Sequence, residues 1–385
     1  MADATESGAP GSASEHDQVW MDAAIRLARK GAGAVSPNPL VGCVIVSRDG
    51  QVLGEGWHTR YGAPHAEVEA LRDVERSGGD PSGGTAYVTL EPCSHHGKTP
   101  PCAPLLVESG VARVVVGMQD PNPAVDGRGL GLLRNAGLQV DVGVRGPECE
   151  KLNEAWIHRT VTGLPFVTLK AAQTADGFIA EPSGLSKWIS CEASRALTHR
   201  WRAEMDAVMV GRATALSDNP ALTVRHVQGR QPRRIVLDGP LELPETLRLF
   251  SDSHEEKTTL VTWNEPLARE RHDPMLKMLR SGYFRGDVMV VSRTADGHVD
   301  LREVLRNLAA SGVCSLLVEG GTHLSSAMIR KNLADRLQLF IAPTLLGTGK
   351  RSFSDIGIAT LEEAGRYRAA SWTPVDRDML LTIDF

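Results

Sequence analysis

Residues 65–102 read HAEVEALRDVERSGGDPSGGTAYVTLEPCSHHGKTPPC, and this stretch decides the fold of the first half of the chain. HAEVEALRDV (65–74) has helical spacing, TAYVTL (85–90) is rich in strand formers, and the strand runs into a polar, Pro-rich loop with Cys93 and Cys102. Upstream, DQVWMDAAIRLARKG (17–31) predicts a helix with Asp17 as N-cap, apolar Met21, Ala24, Ile25 and Ala28 on one face, and Gly31 as terminator. VGCVIV (41–46) and QVLGEGW (51–57) then predict strands. Downstream come strand ARVVVGM (112–118), a Gly-rich helix and strand LQVDVGV (138–144). Alternating strands and helices imply βαβ units and a largely parallel, covered sheet.

At ~100–200 residues per domain, 385 residues suggest two or three domains. Residues 1–16 are small and polar and predict a disordered tail. The first domain spans 17–145, residues 146–164 predict a connecting helix and turn, and a second α/β domain spans 165–385. Its strands are expected at 166–172, 206–211, 233–238, 258–262, 287–291, 313–319 and 336–343, with helices near 192–205, 300–311 and 322–333. No internal repeat relates the halves. Hydrophobic residues at 42% and charged residues at 23% exclude wholesale disorder. A formal charge of −5 and 5% aromatic residues argue against a nucleic-acid footprint. No apolar run approaches the ~20 residues of a spanning helix, and MADATESGAPGSASE lacks a secretory pattern, so no membrane partner and a cytoplasmic location are expected. The oligomeric state stays open, a homo-oligomer included.

Six cysteines, Cys43, Cys93, Cys102, Cys149, Cys191 and Cys314, are too thinly spread for a disulfide framework. Cys93 and Cys102 read as metal ligands or reactive thiols, the other four as core residues. With His65 they make a three-ligand zinc set whose fourth position is left for water. Glu67, not itself a ligand, suits a proton carrier between that water and a leaving amine. Zinc deaminases acting on nucleobases carry H-x-E followed by P-C-x-x-C; here eight residues, SHHGKTPP, separate the cysteines. The longer loop brings His95, His96 and Lys98 near the metal, where they could hold an anionic group; His95 or His96 could instead complete a structural zinc site. Asn38, between two prolines, reads as an amide in fixed orientation or as a turn, and His58 as a pocket wall or a surface imidazole.

The second half has no G-x-G-x-x-G after a strand. Strand VCSLLVE ends in Glu319-Gly320-Gly321-Thr322 before a helix, a turn that offers free N–H groups to a pyrophosphate or is an ordinary glycine turn. LKAAQTADGFIA, WIS and VGRATALSDNPALTVR place Lys170, Asp176, Ser186, Trp188, Thr214, Asp218 and Arg225 at strand ends or in loops, as pocket liners or turn formers. Arg202 reads as solvated by default.

PNPLVGCVIV, GWH, HAE, EPCSHHGKTPPC and VGMQDPNPAVDGRG, with LKAAQTADGFIA, VGRATALSDNPALTVR and LLVEGGTHL, resemble the bifunctional riboflavin-biosynthesis deaminase/reductases from residue 17 onward. The resemblance implies a cytidine-deaminase-like three-layer domain followed by a dihydrofolate-reductase-like domain. It implies hydrolytic deamination of a phosphoribosylated diaminopyrimidine, then NADPH-dependent reduction of its ribosyl group to ribityl. By the same resemblance His65, Cys93 and Cys102 hold Zn2+ and Glu67 shuttles the proton, while Asn38, His58, His95 and Lys98 hold the substrate. Ala172, Trp188, Thr214, Asp218 and the run Gly321, Thr322, His323, Leu324, Ser325, Ser326 and Ala327 fall on the cofactor side. Ser186, Arg202, Leu222, Arg225 and Glu319 fall on the substrate side, with Lys170 and Asp218 as proton donor candidates. Residue types nominate no partner for a ribose 2′-phosphate, and the stretch from about 240 to 300 carries no recognisable cofactor loop. Against this stand a polynucleotide-editing deaminase with a C-terminal binding domain and a zinc-stabilised scaffold for partners.

Overall fold

The computed structural model describes residues 14–94, 100–122, 125–267, 274–282, 284–365 and 369–385. The chain divides into two compact units, Met1–Val161 and Thr162–Phe385. Among the described residues, no helix is long and apolar enough to cross a membrane.

The first unit opens with α1 (Glu15–Arg29), the hairpin strands β1 (Gly42–Val46) and β2 (Val52–Trp57), then α2 (Ala66–Ser77). It continues through β3 (Thr85–Leu90), α3 (Cys102–Glu108), β4 (Arg113–Met118), α4 (Arg128–Asn135) and β5 (Gln139–Val142), and ends in α5 (Gly146–Leu152) and α6 (Glu154–Thr162). The sheet order is β2-β1-β3-β4-β5. Only β3, β4 and β5 pair in parallel, because the short loop between β1 and β2 cannot make the crossover a parallel pair needs. Period-two alternation builds three layers. Cys43 and Ile45 face the core shared with α2, α3 and α4, while Val44 and Val46 face the core under α1 and α5.

Two expectations shift. Ser14, not Asp17, caps α1, its Oγ accepting from the Asp17 N–H at 3.1 Å, so positions 15 and 16 of the expected tail are helical. Residues 146–162 are packed helix: Cys149 is buried in the core beneath α1, and a Cβ on Gly117 would collide with its sulfur. Asp17 is buried and accepts hydrogen bonds from Tyr87 Oη at 2.8 Å and from Arg113 Nη1 at 2.7 Å. The Arg113 guanidinium holds the Asp17 carboxyl far below the usual carboxylate range, overcoming burial, with Tyr87 and Ser14 adding to it. A depressed carboxyl pKa contributes stability above its unfolded value, near 3.9, that is lost as pH falls toward the folded value. Asp17→Asn is therefore expected to flatten the acid side of the first unit's stability curve, read by denaturant unfolding between pH 3 and 7; an unchanged pH slope would contradict the assignment.

The second unit begins with β6 (Phe166–Thr174), β7 (Phe178–Ala180), α7 (Glu192–Glu204), β8 (Ala207–Gly211) and α8 (Arg212–Asp218). Next come β9 (Arg233–Leu237), α9 (Arg248–Ser251), β10 (Thr258–Thr262), α10 (Asn264–Leu267), α11 (Pro274–Ser281) and β11 (Asp287–Val290). The rest is α12 (Leu301–Ala310), β12 (Ser315–Val318), α13 (Thr322–Arg330), β13 (Arg336–Ala342), β14 (Lys350–Arg351), β15 (Ala369–Val375) and β16 (Asp378–Asp384). The nine-stranded sheet runs β11-β10-β9-β8-β12-β6-β13-β16-β15 and is parallel from β11 to β13. Strands β16 and β15 close it antiparallel. The central strands are apolar on both faces, Met209 and Ile235 toward α12 and α13, Val208 and Val236 toward Leu249, Phe250 and Met275. A parallel sheet puts all its β-to-α loops at one edge, and there the second site forms.

Candidate active sites

In the first unit, α2 is brought to backbone contact with β2 because β2 carries Gly54 and Gly56; a Cβ on Gly56 would run into the Ala66 carbonyl. His65 is the residue that starts α2, Cys93 follows β3 through Glu91-Pro92, and Cys102 is the first residue of α3. His65 Nδ1 lies 3.6 Å from Cys93 Sγ and 3.4 Å from Cys102 Sγ, and the three donor atoms all lie within 4.8 Å of one another. A tetrahedral ion with Zn–S near 2.3 Å and Zn–N near 2.0–2.1 Å puts nitrogen and sulfur about 3.5 Å apart, so the donor set has the spacing zinc requires. No fourth His, Cys, Asp or Glu joins this cluster among the described residues. His95 and Lys98 lie outside the described residues.

The electrostatics are those of a site built for a cation. Cys102 hydrogen-bonds the Cys93 sulfur and lowers the Cys93 thiol well below its usual range against the cost of burial, with His65 adding to the effect. The same hydrogen bond to Cys93, with burial, in turn holds the Cys102 proton on. Glu67, the second residue of α2, is buried, and burial followed by the Cys93 charge raises it to about 7. Its Oε2 has no hydrogen-bond partner, an orphaned acceptor beside the ligand cluster.

His58 is buried, with its ring edge-on to His65 at 5.6 Å between centroids. Its Nδ1 lies 3.0 Å from the Pro64 carbonyl, which can only accept, so Nδ1 carries the proton and Nε2 accepts from Asn38 Nδ2 at 3.2 Å. Both ring nitrogens are therefore used inside the protein, and His58 orients the Asn38 amide. Sequence reasoning passed over Glu91. Its buried carboxylate accepts from the N–H groups of Asp120, Gly127, Gly129 and Leu130 at 2.8–3.3 Å, tying the start of α4 to the segment that delivers Cys93. Its place beside Pro92-Cys93 was the one available signal.

In the second unit a cavity of about 1400 Å³ opens along the carboxyl edge of the parallel strands. It gathers Lys170, Ala172, Ser186, Trp188, Arg202 and Thr214. Asp218, Arg225 and Glu319 line it as well, as do Gly321, Thr322, His323, Leu324 and Ala327 from the start of α13. Three expected residues do not: Leu222 is buried in the apolar core, and Ser325 and Ser326 turn inward, Ser326 Oγ accepting from the Ser354 N–H at 2.9 Å. Glycine at 320 and 321 left room for a free N–H cradle, yet the Gly321 N–H donates to Thr214 Oγ1 at 3.1 Å, which fixes α8 to α13.

Arg202 is not solvated. Its Nε and Nη2 donate to the two oxygens of Glu319 at 2.5 and 2.7 Å, and Nη1 donates to the Thr223 carbonyl at 3.1 Å. Burial alone would raise Glu319, but Arg202, then Lys170 and His199, outweigh it and keep the carboxyl low. Burial lowers Lys170, partly offset by Glu319. His199, missed in the sequence, is pushed down to about 4 by burial and by Arg202 and Arg225, and its Nδ1 accepts from the Arg225 N–H at 3.2 Å. Arg195 lies over the exposed Trp188 ring at 4.5 Å at the cavity wall.

Residues 14–118 match the family described as "Cytidine and deoxycytidylate deaminase zinc-binding region", and residues 165–381 match "RibD C-terminal domain". The chain is similar to "Riboflavin biosynthesis protein RibD" of Actinobacillus pleuropneumoniae, 40% identical over 369 residues that cover 95% of this chain and 94% of the relative. The protein of the same name from Escherichia coli strain K12 is 39% identical, covering 95% and 98%. The solved structure of Acinetobacter baumannii RibD superposes with a TM-score of 0.83 at 36% identity, covering 96% and 99%. That of a diaminohydroxyphosphoribosylaminopyrimidine deaminase/5-amino-6-(5-phosphoribosylamino)uracil reductase from Thermotoga maritima does so with the same score and identity, covering 96% and 98%. Zinc-ligand geometry in one unit, a basic strand-edge cavity in the other and relatives matched over nearly their whole length converge: the chain belongs to the RibD family of bifunctional riboflavin-biosynthesis enzymes, a zinc-dependent deaminase joined to an NADPH-dependent reductase.

Proposed function

We propose that the first unit removes the amine of 2,5-diamino-6-(5-phosphoribosylamino)-4(3H)-pyrimidinone and that the second reduces the ribosyl group of the product to ribityl. The observation that carries the first step is the unpartnered Oε2 of buried Glu67 beside three donor atoms at zinc spacing. His65, Cys93 and Cys102 hold the zinc, which when bound makes water nucleophilic at neutral pH. Glu67 accepts the proton that this water gives up and returns it to the amine nitrogen, so that ammonia leaves as the ring carbon takes the oxygen. Asn38, oriented by His58, meets the polar edge of the pyrimidine, and His95 and Lys98 serve the phosphate.

In the second unit bound NADPH would supply the hydride for C1 of the opened ribosyl chain, and the chain's own residues would deliver a proton to the attached nitrogen. Lys170, Asp218 and the Arg202–Glu319 pair all line the cavity, and on this reading that carbon sits among them. Lys170 is the favoured donor, since burial has weakened its hold on the proton. Ser186 and Arg225 hold the substrate, while Ala172, Trp188, Thr214 and the start of α13 hold the cofactor. A polynucleotide-editing reading is not favoured, because the second half matches a reductase domain.

The purified chain, given the phosphoribosylated diaminopyrimidine, is expected to release ammonia without NADPH and to oxidise NADPH only once ammonia has appeared. NADPH oxidation on the undeaminated substrate would reverse the assigned order.

A further inference from the structure

The cavity of the second unit carries eleven lysines and arginines against four acidic residues, in a chain of formal charge −5. Its polar groups fall into separate regions along the sheet edge. Lys170 and the Arg202–Glu319 pair lie by β6 and β12, and the start of α13 follows β12. The far end lies beyond β9, β10 and β11, in the stretch whose sequence carried no cofactor signal. There Gly239 abuts the Trp263 indole so closely that a Cβ would overlap the ring, and the Arg293 guanidinium lies over the same ring, 5.0 Å from its centroid. Arg293 is exposed and makes no salt bridge among the described residues. Arg212, the first residue of α8, is paired with Glu242, and all five of these residues line the cavity.

The sheet edge acts as a ruler. Five strand steps separate β6 from β11, roughly 24 Å at ~4.8 Å per step. Hydride transfer requires the nicotinamide and the sugar carbon to meet at the Lys170 end. The α13 start, next along the edge, suits the pyrophosphate. The second nucleotide of the dinucleotide must then extend toward β9, β10 and β11, whereas the substrate's single phosphate hangs on a short ribose and stays near Arg225 and His199.

We propose that Arg293, steadied on Trp263, and Arg212 bind the 2′-phosphate of NADPH and set the preference for NADPH over NADH. This rests on the cavity being the NADPH site. A phosphomonoester dianion takes charge-assisted hydrogen bonds from a guanidinium, and the exposed carboxylate of Glu242 holds Arg212 in place until the phosphate displaces it.

The test is titration calorimetry of the full chain with NADP+, NAD+ and ribose 5-phosphate, separately. Wild type is expected to bind NADP+ more tightly than NAD+; equal affinities would overturn the NADPH reading itself. Arg293→Ala and Arg212→Ala are each expected to weaken NADP+ about ten- to a hundredfold, with NAD+ and ribose 5-phosphate changed less than about twofold. Glu242→Gln, which removes a negative charge beside the same phosphate, is expected to tighten NADP+ about threefold and leave NAD+ alone. Parallel loss of NADP+ and NAD+ in the arginine variants, or loss of ribose 5-phosphate with NADP+ retained, overturns the proposal while wild-type discrimination leaves the NADPH site intact.

Discussion

Glu67→Ala is expected to cut ammonia release by about a hundred- to ten-thousandfold, the range for a positioned proton carrier, while the chain keeps its zinc. The carboxylate is no part of the three-donor cluster. Zinc content by elemental analysis and ammonia release on the same preparation check both halves. Loss of zinc in this variant would make Glu67 a ligand and return the site to a structural role. NADPH oxidation on the already deaminated pyrimidine is expected to be unchanged, which separates a defect in proton transfer from a defect in folding.

Arg202→Met is the second large effect. Arg202 and Glu319 side chains are only 10% and 11% exposed, and removing the cation strands a largely buried carboxylate at a cost of about 3–5 kcal/mol. The Glu319 carboxyl then rises, and Lys170 loses the balanced field of a neutral pair. Thermal unfolding should move down and NADPH oxidation should fall. The double change Arg202→Met with Glu319→Leu is expected to restore much of the stability and none of the reduction, because apolar groups can replace a buried pair in packing but not in charge. Recovery of activity along with stability would show the pair to be mere scaffolding.

Much of this was legible in the sequence where the relevant partners are close along the chain. α2 announces itself by its apolar spacing, and the three ligands by the chemistry of His, Cys and Cys around one strand. What the sequence concealed depends on residues far apart. Arg202 looked solvated because Glu319 lies 117 residues away. The hairpin of β15 and β16 escaped because Pro374 reads against a strand and its turn, at Asp376 with φ 53°, lacks the glycine that marks such turns. Ser325 and Ser326 sit in the right helix but on its core side, a matter of helical phase that a motif does not encode. Trp263 and Arg293 follow two different strands and become neighbours only through the sheet order.

That late hairpin also reaches the helix that bears His199 and Arg202. Asp378, at the first position of β16, accepts from the Cys191 N–H at 2.8 Å and the Ser194 hydroxyl at 2.6 Å, at the start of α7. The amino end of that helix is thus clasped by a residue 187 positions further along. Loop closure over so long a separation is entropically slow to win. The wall of the cavity made by α7 is therefore held in part by β16, and protein engineers who shorten or re-register this strand will loosen a site that it never touches.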